Sequence, residues 1–308
     1  GKKTKKRYRR SGLGTFLQPL SHRFEFFTLM ATRVLLLALP RRWQLALGSF
    51  LGRACYHLRV RRGIVEKNLL YTGMAVGKAD TAQLALAIYS TVGRLLVDSL
   101  TFSTTSMPPM VIENQEGVRS PEDASRGILM VSGHYGNWEL LLRVMGELFP
   151  GLGVVVKPIR NPHLGRWLSE QRQAPGIQLI EPQHAMRRSL KLIRKGHAVA
   201  YLTDQYAGRH GATVTFLGKP ALTVRSAAGL AALTGCRVLA GYAAIDPQGV
   251  YHVRFQEIPN VASSAEDRTE DTQLALQQHN DIVSGWIREH PEQWFGWFHR
   301  RFKESVSY

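Results

Sequence analysis

His134 and Glu139 lie five positions apart in the segment "VSGHYGNWEL", directly after an apolar run. A histidine can accept a proton from a hydroxyl near neutral pH, and a carboxylate on its other ring nitrogen fixes the tautomer. On an ideal helix, five residues would separate the two side chains by about 140°. Asn137 is instead predicted to cap a helix that begins at Trp138, which lets Glu139 turn back towards His134. This pattern predicts a general base, but a structural histidine at a strand end has the same spacing.

Polar side chains also follow two other apolar runs. Lys157 and Arg160 come after "GVVV", and Asp204 and Gln205 come after "AVAYLT". In a parallel sheet, ligands bind beyond the carboxyl ends of the strands. We therefore expect the histidine, the cations and Asp204 to meet at one edge of a sheet.

Several common catalytic patterns are absent from the sequence. It contains no H-E-x-x-H, and Cys55 and Cys236 form no metal-ligand spacing. No G-x-S-x-G, Walker loop or G-x-G-x-x-G follows a predicted strand. We therefore expect no metal and no organic cofactor, and we expect a substrate hydroxyl or water to attack directly. Two isolated cysteines also favour a reducing compartment such as the cytoplasm.

Short apolar runs alternate with amphipathic helical patterns from about residue 110 onwards. This alternation predicts an α/β fold, with a mainly parallel or mixed central sheet flanked by helices. An earlier helix is predicted in "TAQLALAIYSTVGRLLVDSL", with Thr81 as its cap. Strands are predicted at 127–132, 153–156, 177–180, 198–203, 237–243 and 250–255, and helices at 138–149, 162–173, 184–195, 223–234 and 270–289.

Basic residues are concentrated at the N-terminus. Residues 1 to 67 contain 16 Lys or Arg against two acidic residues, in a chain of net charge +17. The basic "KKTKKRYRR" precedes "FFTLMATRVLLLALP", which is shorter than the about 20 apolar residues that cross hydrocarbon. Positive charge beside an apolar helix is typical of an anchor on the cytosolic face of a membrane. We interpret residues 1–60 as a membrane-anchoring or interfacial helical segment, and 61–308 as the α/β domain. A buried soluble helix with a solvated basic tail is the alternative.

Several blocks of sequence together resemble one known family. They are "HYGNWE", "KPIRNPHLGRWLSEQR", "TDQYAGRHGATVTFLGKPALTVRSAAGLA" and "PEQWFGWFHRRFK", with "LPRRWQLALGSFLGRACYHLRVRRGIVEKNL" similar to a membrane-proximal segment. The family is that of the bacterial lipid A biosynthesis acyltransferases, within the wider glycerophosphate acyltransferase group. The resemblance covers nearly the whole chain. An isolated H-x4-E is weakly specific, whereas these blocks in this order are strongly specific.

The resemblance implies catalytic roles for individual residues. His134 would deprotonate a hydroxyl of a lipid acceptor, and Glu139 would orient and charge-balance it. Within the wider group the relay acid can instead come from the later acidic block, here Asp204; we prefer Glu139. The chain departs from its relatives at Tyr206, where a second acid is common. This leaves Asp204 as the retained acid of that block.

Arginines near the predicted edge of the sheet are expected to bind substrate. A guanidinium suits a phosphate or phosphopantetheine group, and the resemblance associates similar arginines with substrate anchoring. A solvated helix face is the alternative for each of them. Basic residues of the tail, His299 to Arg301, are expected either to meet an anionic substrate or to belong to a tail docked for stability by its aromatic residues. The candidate substrate-binding residues are Arg172, Arg160, Arg166, Asp204, Asn137 and Lys157.

The resemblance implies an enzyme that moves a fatty acyl chain from a thioester, on acyl carrier protein or coenzyme A, to a glycolipid hydroxyl. The expected acceptor is a lipid A precursor, and the expected location is the cytoplasmic face of the inner membrane, with an anionic membrane surface and no nucleic acid as partner. Three alternatives remain open. They are an acyltransferase for another glycolipid such as a phosphatidylinositol mannoside, a membrane-bound thioesterase, and a non-enzymatic basic membrane- or nucleic-acid-binding protein.

Overall fold

A computed structural model of the chain describes residues 12–102, 107–113, 118, 126–173, 176–208, 211–259 and 268–308. In the first helix, side chains are described from residue 19 onwards. The basic "KKTKKRYRR" segment therefore lies outside the described residues, and so does the first part of the predicted anchor.

A seven-stranded mixed sheet forms the centre of the protein. The strands of this sheet and of a separate two-stranded hairpin, in chain order, are β1 (Met110–Glu113), β2 (Ile128–Ser132), β3 (Gly153–Val155), β4 (Gln178–Ile180), β5 (Ala198–Leu202), β6 (Ala212–Phe216), β7 (Lys219–Thr223), β8 (Arg237–Ile245) and β9 (Tyr251–Ile258). The order in the sheet is β1–β9–β8–β2–β5–β3–β4. The run from β8 to β4 is parallel, whereas β9 is antiparallel to β8 and parallel to β1. β6 and β7 form a separate antiparallel hairpin.

Helices cover both faces of the sheet. They are α1 (Gly12–Leu37), α2 (Arg41–His57), α3 (Arg62–Thr72), α4 (Gly77–Thr101), α5 (Trp138–Leu148), α6 (Pro162–Gln173), α7 (Ala185–Ile193), α8 (Ser226–Thr234) and α9 (Arg268–Glu289). Successive side chains of a strand point to opposite faces. Leu129 and Val131 of β2 pack in one core with residues of α7, α8 and α9, and Ile128 and Met130 pack in another core with residues of α5. The predicted α/β fold with a mixed, mainly parallel sheet is confirmed.

The β6–β7 hairpin and the edge strand β1 are not among the strands predicted from the sequence. The turn between β6 and β7 consists of Leu217 and Gly218, both at positive φ. Such a turn is normally recognised by Asn-Gly or Asp-Gly, so a leucine in its first position conceals it. The edge strand β1 is only four residues long and only partly buried, which leaves no clear alternation in the sequence.

The helix predicted from Thr81 begins earlier than expected. α4 starts at Gly77, and the Thr81 hydroxyl donates to the Gly77 carbonyl from inside the helix. The backbone N–H of Val76, at the start of the helix, donates to the Asp80 carboxylate over 2.6 Å, so Asp80 supplies the hydrogen-bond acceptor that this N–H needs. The predicted cap at Thr81 is therefore wrong. Within the described residues, α4 is long and apolar enough to cross a membrane, although half of its most apolar part is buried inside the protein.

The N-terminal helices pack against the rest of the chain. α2 lies so close to α4 that a Cβ atom on Gly52 would come within 1.9 Å of the Tyr89 carbonyl oxygen. α1 contacts the residue that directly precedes α6: the Asn161 amide donates to the His22 carbonyl over 2.8 Å. Arg33 of α1 also donates to the Leu100 carbonyl at the end of α4, over 3.0 Å. α1 and α2 are thereby attached to the part of the fold that carries the site.

Candidate active site

Two adjacent parallel strands end close together and position the central residues of the site. β2 ends at Ser132 and β5 at Leu202, and these two residues are partners in the register. His134 and Asp204 each lie two residues beyond these ends. Because parallel strands end at the same edge of a sheet, the two side chains meet there.

Hydrogen bonds join His134 to Asp204. Nδ1 of His134 lies 2.8 Å from Oδ1 of Asp204, and the backbone N–H of His134 donates to Oδ2 over 2.8 Å. The Asp204 side chain is fully buried, whereas 18% of the His134 side chain is exposed. An ionised carboxylate only accepts hydrogen bonds, so Nδ1 carries a proton and Nε2 of neutral His134 is an acceptor. This is the arrangement of a general base with its orienting acid.

Each group of the pair stabilises the charged form of the other. Burial lowers the pKa of His134, but the charge and hydrogen bond of Asp204 outweigh it, so that pKa lies above its usual value. Burial raises the pKa of Asp204, but His134 and the indole of Trp294 lower it further than burial raises it. Asp204 is therefore ionised at neutral pH, and its charge favours the protonated form of His134.

The structure corrects the preferred partner of His134, which is Asp204 and not Glu139. Glu139 lies in the first turn of α5, and Arg172 of α6 donates to both of its oxygens, with Nε 2.9 Å from Oε2. The indole of Trp138 also donates to Oε1 of Glu139, over 3.1 Å. The H-x4-E spacing thus brings Glu139 to the site, but its carboxylate orients Arg172 instead of the imidazole.

Asn137 caps α5, as predicted. Its Oδ1 accepts the backbone N–H of Leu140 over 3.0 Å and the hydroxyl of Ser99 over 3.1 Å, and its Nδ2 donates to the hydroxyl of Tyr251 over 3.2 Å. The residue is 1% exposed. Both ends of the amide are therefore bonded inside the protein and the residue lines neither of the two cavities described below, so its assignment as a substrate-binding residue is corrected.

A cavity of about 400 Å³ lies beside His134. Its polar lining includes His134, Glu139, Arg172, Lys157 and Gln205. A mostly apolar pocket with a few convergent polar groups is typical of a small-molecule site. The rest of its wall is predominantly apolar and includes Met130, Leu141, Leu142, Met145, Val154, Val155, Val156, Ile159, Ala200, Tyr201, Leu202 and Val224.

A second cavity, of about 470 Å³, adjoins the first and shares Lys157 and Arg172 with it. His184 and Arg188 add further basic groups to its lining, and Glu181 is its acidic member. Lys157, His184 and Arg188 are all exposed to solvent. Three cationic side chains, Lys157, Arg172 and Arg188, face one acidic side chain in this lining, which makes the cavity suitable for an anionic group.

The structure brings together only part of the predicted substrate-binding set. Arg172 and Lys157 line both cavities. Arg160 and Arg166 are exposed and line neither of these two cavities. The Asp204 side chain is fully buried and lines neither of these two cavities, so the structure favours its role as the partner of His134 over a contact with substrate.

Three aromatic or amide residues at the site are absent from the predicted set. Trp138 packs edge-on against His134, with ring centroids 5.1 Å apart, and Gln205 places Nε2 3.3 Å from Nε2 of His134. Both are direct neighbours of predicted site residues, which is a usable signal. Trp294 donates its indole N–H to Oδ2 of Asp204 over 2.7 Å, from 90 positions away in sequence. No local pattern could have indicated that contact.

The C-terminal tail, residues 291–302, is docked against the site. Arg301 is 1% exposed, and its guanidinium donates to the Thr223 hydroxyl over 2.6 Å and to the Gln205 carbonyl over 3.3 Å. Trp297 is fully buried and donates to the Pro291 carbonyl over 2.7 Å. For Arg301, the structure therefore favours docking over contact with an anionic substrate.

The site is equipped for proton transfer beside an apolar cavity. His134 supplies an acceptor nitrogen, and Asp204 supplies the negative charge that stabilises a protonated imidazole. In the part of the chain that the structure describes, no cluster of three or more His, Cys, Asp or Glu side chains could hold a metal ion.

Comparisons with known proteins point to one family. Residues 15–304 match the model of the bacterial lipid A biosynthesis acyltransferases. The chain is 27% identical over 266 residues to the "Lipid A biosynthesis lauroyltransferase" of Escherichia coli K12, covering 83% of this chain and 84% of that protein. It is 26% identical over 196 residues to the "Lipid A biosynthesis palmitoleoyltransferase" of the same strain, covering 62% of this chain and 61% of that protein. With a family match over nearly its whole length, the chain belongs to the bacterial lipid A biosynthesis acyltransferase family.

Proposed function

We propose that the protein transfers a fatty acyl chain from a thioester, on acyl carrier protein or coenzyme A, to a hydroxyl of a lipid A precursor. As a member of its family, it is an acyltransferase of lipid A biosynthesis. The observation that carries the finer proposal is the His134–Asp204 pair beside an apolar cavity. The pair supplies a base, and the cavity supplies a binding place for hydrocarbon.

In the proposed reaction, Nε2 of His134 takes the proton of the acceptor hydroxyl while the hydroxyl oxygen attacks the thioester carbonyl carbon. Asp204 holds the Nδ1 proton and stabilises the imidazolium that forms. The tetrahedral intermediate then collapses, the carbon–sulfur bond breaks, and the imidazolium returns its proton to the leaving thiolate. An ester and a free thiol are formed, and the neutral base is restored.

The negative oxygen of the intermediate requires hydrogen-bond donors. Gln205 is a candidate because its amide nitrogen lies 3.3 Å from Nε2 of His134, where the acceptor oxygen would arrive. Lys157 is a second candidate because it lines the same cavity. A donor that is aimed at such an oxygen typically contributes about 10²- to 10³-fold to the rate.

We assign the acyl chain to the apolar cavity of about 400 Å³. Each methylene that leaves water for an apolar wall contributes roughly 0.8 kcal/mol, so a chain of about ten methylenes gains roughly 8 kcal/mol before ordering costs. This gain is large enough to hold the donor while its thioester lies near His134. The cavity length available to the chain would then limit which donors react.

Narrowing this cavity is expected to discriminate against long chains. Val154 of β3 lines the cavity and is only partly buried, so a larger side chain there can extend into the cavity. We expect Val154→Phe to lower kcat/KM for donors of about 12 carbons roughly tenfold more than for donors of about 8 carbons, because excluded methylenes lose their burial energy. A series of acyl thioesters measures this selectivity.

The control for Val154→Phe is Val111→Phe. Val111 of β1 is 49% exposed and does not line the cavity, so the same enlargement should leave the chain-length profile unchanged. An equal loss for all donors in Val154→Phe would contradict the assignment of the acyl chain to this cavity.

We assign a phosphate group of a substrate to the second cavity. Lys157 and Arg188 lie in its lining together with His184. Phosphate groups are bound by such cations through charge-assisted hydrogen bonds. Because the two cavities share Lys157 and Arg172, one amphiphilic substrate could occupy both, with hydrocarbon in the first and phosphate in the second.

We further propose that residues 1–60 hold the enzyme on the cytoplasmic face of the inner membrane, with 61–308 as the catalytic domain. Within the described residues, more than half of the strongly exposed large hydrophobic side chains lie between positions 20 and 60. Phe24, Phe27 and Phe50 are 74%, 66% and 66% exposed. Such a concentration of exposed apolar side chains in one part of the chain is typical of membrane or protein contacts, and the arginines of the same helices would favour anionic headgroups.

Charged residues at these positions are expected to release the protein from membranes. Burial of one aromatic side chain contributes about 1.5–3 kcal/mol, so the combined variant Phe24→Asp, Phe27→Asp, Phe50→Asp should lose at least about 100-fold in vesicle binding. Flotation with vesicles of phosphatidylethanolamine and phosphatidylglycerol measures this loss. Leu274→Asp, at a 50% exposed position of α9, is the control. Unchanged flotation of the triple variant would refute the proposed membrane surface.

The function is tested by incubating the purified protein with an acyl thioester and candidate acceptors, followed by mass spectrometry of the lipids. We expect a lipid A precursor to gain the mass of one acyl chain. Acylation of a phosphatidylinositol mannoside instead would reassign the acceptor. Release of free fatty acid without any acylated lipid would identify a thioesterase and reject the proposal.

A further inference from the structure

The C-terminal tail runs alongside the loop that carries His134. The backbone N–H of Phe295 donates to the His134 carbonyl over 2.8 Å, and the N–H of Gly136 donates to the Gln293 carbonyl over 2.9 Å. Tyr135 and Trp294 form an antiparallel bridge between these two bonds. The tail therefore fixes the backbone on both sides of the loop.

Trp294 adds a side-chain contact to this clamp. Its indole N–H donates to Oδ2 of Asp204 over 2.7 Å, and the backbone N–H of His134 donates to the same oxygen over 2.8 Å. The other oxygen, Oδ1, faces Nδ1 of His134 over 2.8 Å. With two donors on Oδ2, the carboxylate cannot rotate without breaking both bonds, so Oδ1 stays directed at the imidazole.

We propose that Trp294 is a positioning residue, whose indole N–H holds the Asp204 carboxylate in the orientation that presents Oδ1 to His134. The role of Trp294 in the reaction rests on the proposed function of His134 as the base. Trp294 lines neither of the two cavities, and its indole N–H bonds Asp204, so its proposed effect on His134 passes through that carboxylate.

The indole is itself rigidly placed. Trp294 is fully buried, and its ring packs against Phe216 and Trp297 with centroids 5.3 Å and 4.8 Å away. Gly296 allows this packing, because a Cβ atom at that position would come within 2.1 Å of the Trp294 ring. A donor with so little freedom is well suited to fix the group to which it is bonded.

Other charged groups around the pair also influence its titration. Glu139 and Arg172 face His134 from α5 and α6, with opposite effects on its pKa. His299 lies close enough for the charge of His134 to lower the pKa of His299, while burial is the main cause of its low value. Arg301 lies near Asp204 from the tail. Within the described residues, none of these four groups donates a hydrogen bond to the Asp204 carboxylate. The effect of losing the Trp294 donor can therefore be distinguished from the effects of their charges.

Removing the indole donor should have a defined effect on His134. In Trp294→Phe, the charge of Asp204 is less stabilised by hydrogen bonds, so the carboxylate attracts the imidazolium proton more strongly. We expect the pKa of His134 to rise by about half a unit, and the acid limb of kcat/KM to move to higher pH by the same amount. The backbone N–H of His134 still bonds Oδ2 and keeps Oδ1 near Nδ1, but the carboxylate is less firmly fixed, so we also expect the plateau rate to fall roughly tenfold.

Trp297→Phe is the control for packing around Trp294: it loses one indole hydrogen bond, to the Pro291 carbonyl, at an equally buried position, and its phenyl ring still packs against the Trp294 ring. Both variants are made in the full chain with ¹³C-labelled histidine, and the His134 resonance is identified by its loss in His134→Ala. Its titration is followed by NMR in detergent micelles, and kcat/KM is measured against pH. If Trp294→Phe fails to fold, benzothienylalanine at position 294 replaces the N–H by sulfur and keeps the shape of the ring.

An upward shift in Trp294→Phe that is absent from Trp297→Phe supports the proposal. The shift should also disappear when Asp204→Asn is already present, because the indole acts through that carboxylate. An unchanged titration in Trp294→Phe, an equal change in Trp297→Phe, or a shift that persists with Asp204→Asn overturns it. The NMR titration needs no turnover, so a protein without acyl transfer would reject the proposed function while still testing the contact between Trp294 and Asp204.

Discussion

Replacing His134 by alanine is expected to lower the rate of acyl transfer by about 10²- to 10⁴-fold, the usual contribution of a positioned general base. The variant loses the only proposed acceptor for the hydroxyl proton, so the attacking oxygen must lose that proton to water. Binding of both substrates should be largely retained, because the apolar cavity remains. The effect should therefore fall on kcat more than on KM. Steady-state kinetics with a lipid A precursor and an acyl thioester measure it.

The control for this variant is His252→Ala. His252 lies on β9, where its ring contacts Glu113 and Asp246, and it does not line the cavity. Circular dichroism and thermal unfolding should find both variants folded, because His134 is partly exposed and contributes little to either core. A folded His134→Ala protein with undiminished kcat would exclude His134 as the base.

The parts of the site that were predictable are those with a local pattern. The apolar run before His134 predicts a buried strand, and Asn137 predicts the cap of the next helix; both are present. The strands that end before Asp204 and Lys157 were likewise recognisable from their apolar runs. Local periodicity and capping act within a few residues, so they can be read without knowing the tertiary fold.

The partner of His134 was not predictable from spacing. Glu139 is five positions away in sequence, whereas Asp204 is 70 positions away and reaches His134 because β5 is the neighbour of β2. Strand order decides that contact, and a single sequence does not determine the order of parallel strands. The same reason conceals Trp294, whose contact requires the tail to cross the carboxyl edge of the sheet. Local spacing brought Glu139 into the cavity, but Arg172 occupies its carboxylate.

Asp204→Asn is expected to reduce acyl transfer by about 10²- to 10⁴-fold, although the substitution hardly changes the shape of the side chain. Oδ2 of Asp204 accepts the backbone N–H of His134 and the indole N–H of Trp294, so the amide oxygen of the new asparagine should take that place. Its NH₂ group then faces Nδ1 of His134 as a donor. Nδ1 must accept that bond, so the proton of the neutral ring moves to Nε2, which can no longer act as a base.

The pKa of His134, and with it the pH dependence of transfer, should also shift in this variant. In the wild type, the attraction of Asp204 raises the pKa of His134 above its usual value, and transfer rises with pH as the ring becomes neutral. Without that charge, burial remains and lowers the pKa of His134 below its usual value. The acid limb of kcat/KM should therefore move to lower pH in Asp204→Asn while the plateau falls. NMR of labelled histidine reports the tautomer and the pKa of His134 independently of turnover.

Glu139→Gln separates the two candidate acids. Its charge raises the pKa of His134 through space, so the variant should move the acid limb in the same direction by a smaller amount. The Nδ1 proton of His134 should stay in place because Asp204 still accepts it. The loss of transfer should be about tenfold, arising from the disturbed pair with Arg172. If Glu139→Gln shifted the tautomer of His134 and Asp204→Asn left it unchanged, Glu139 would be the relay acid. The hydrogen bond between His134 and Asp204 would then have no catalytic role.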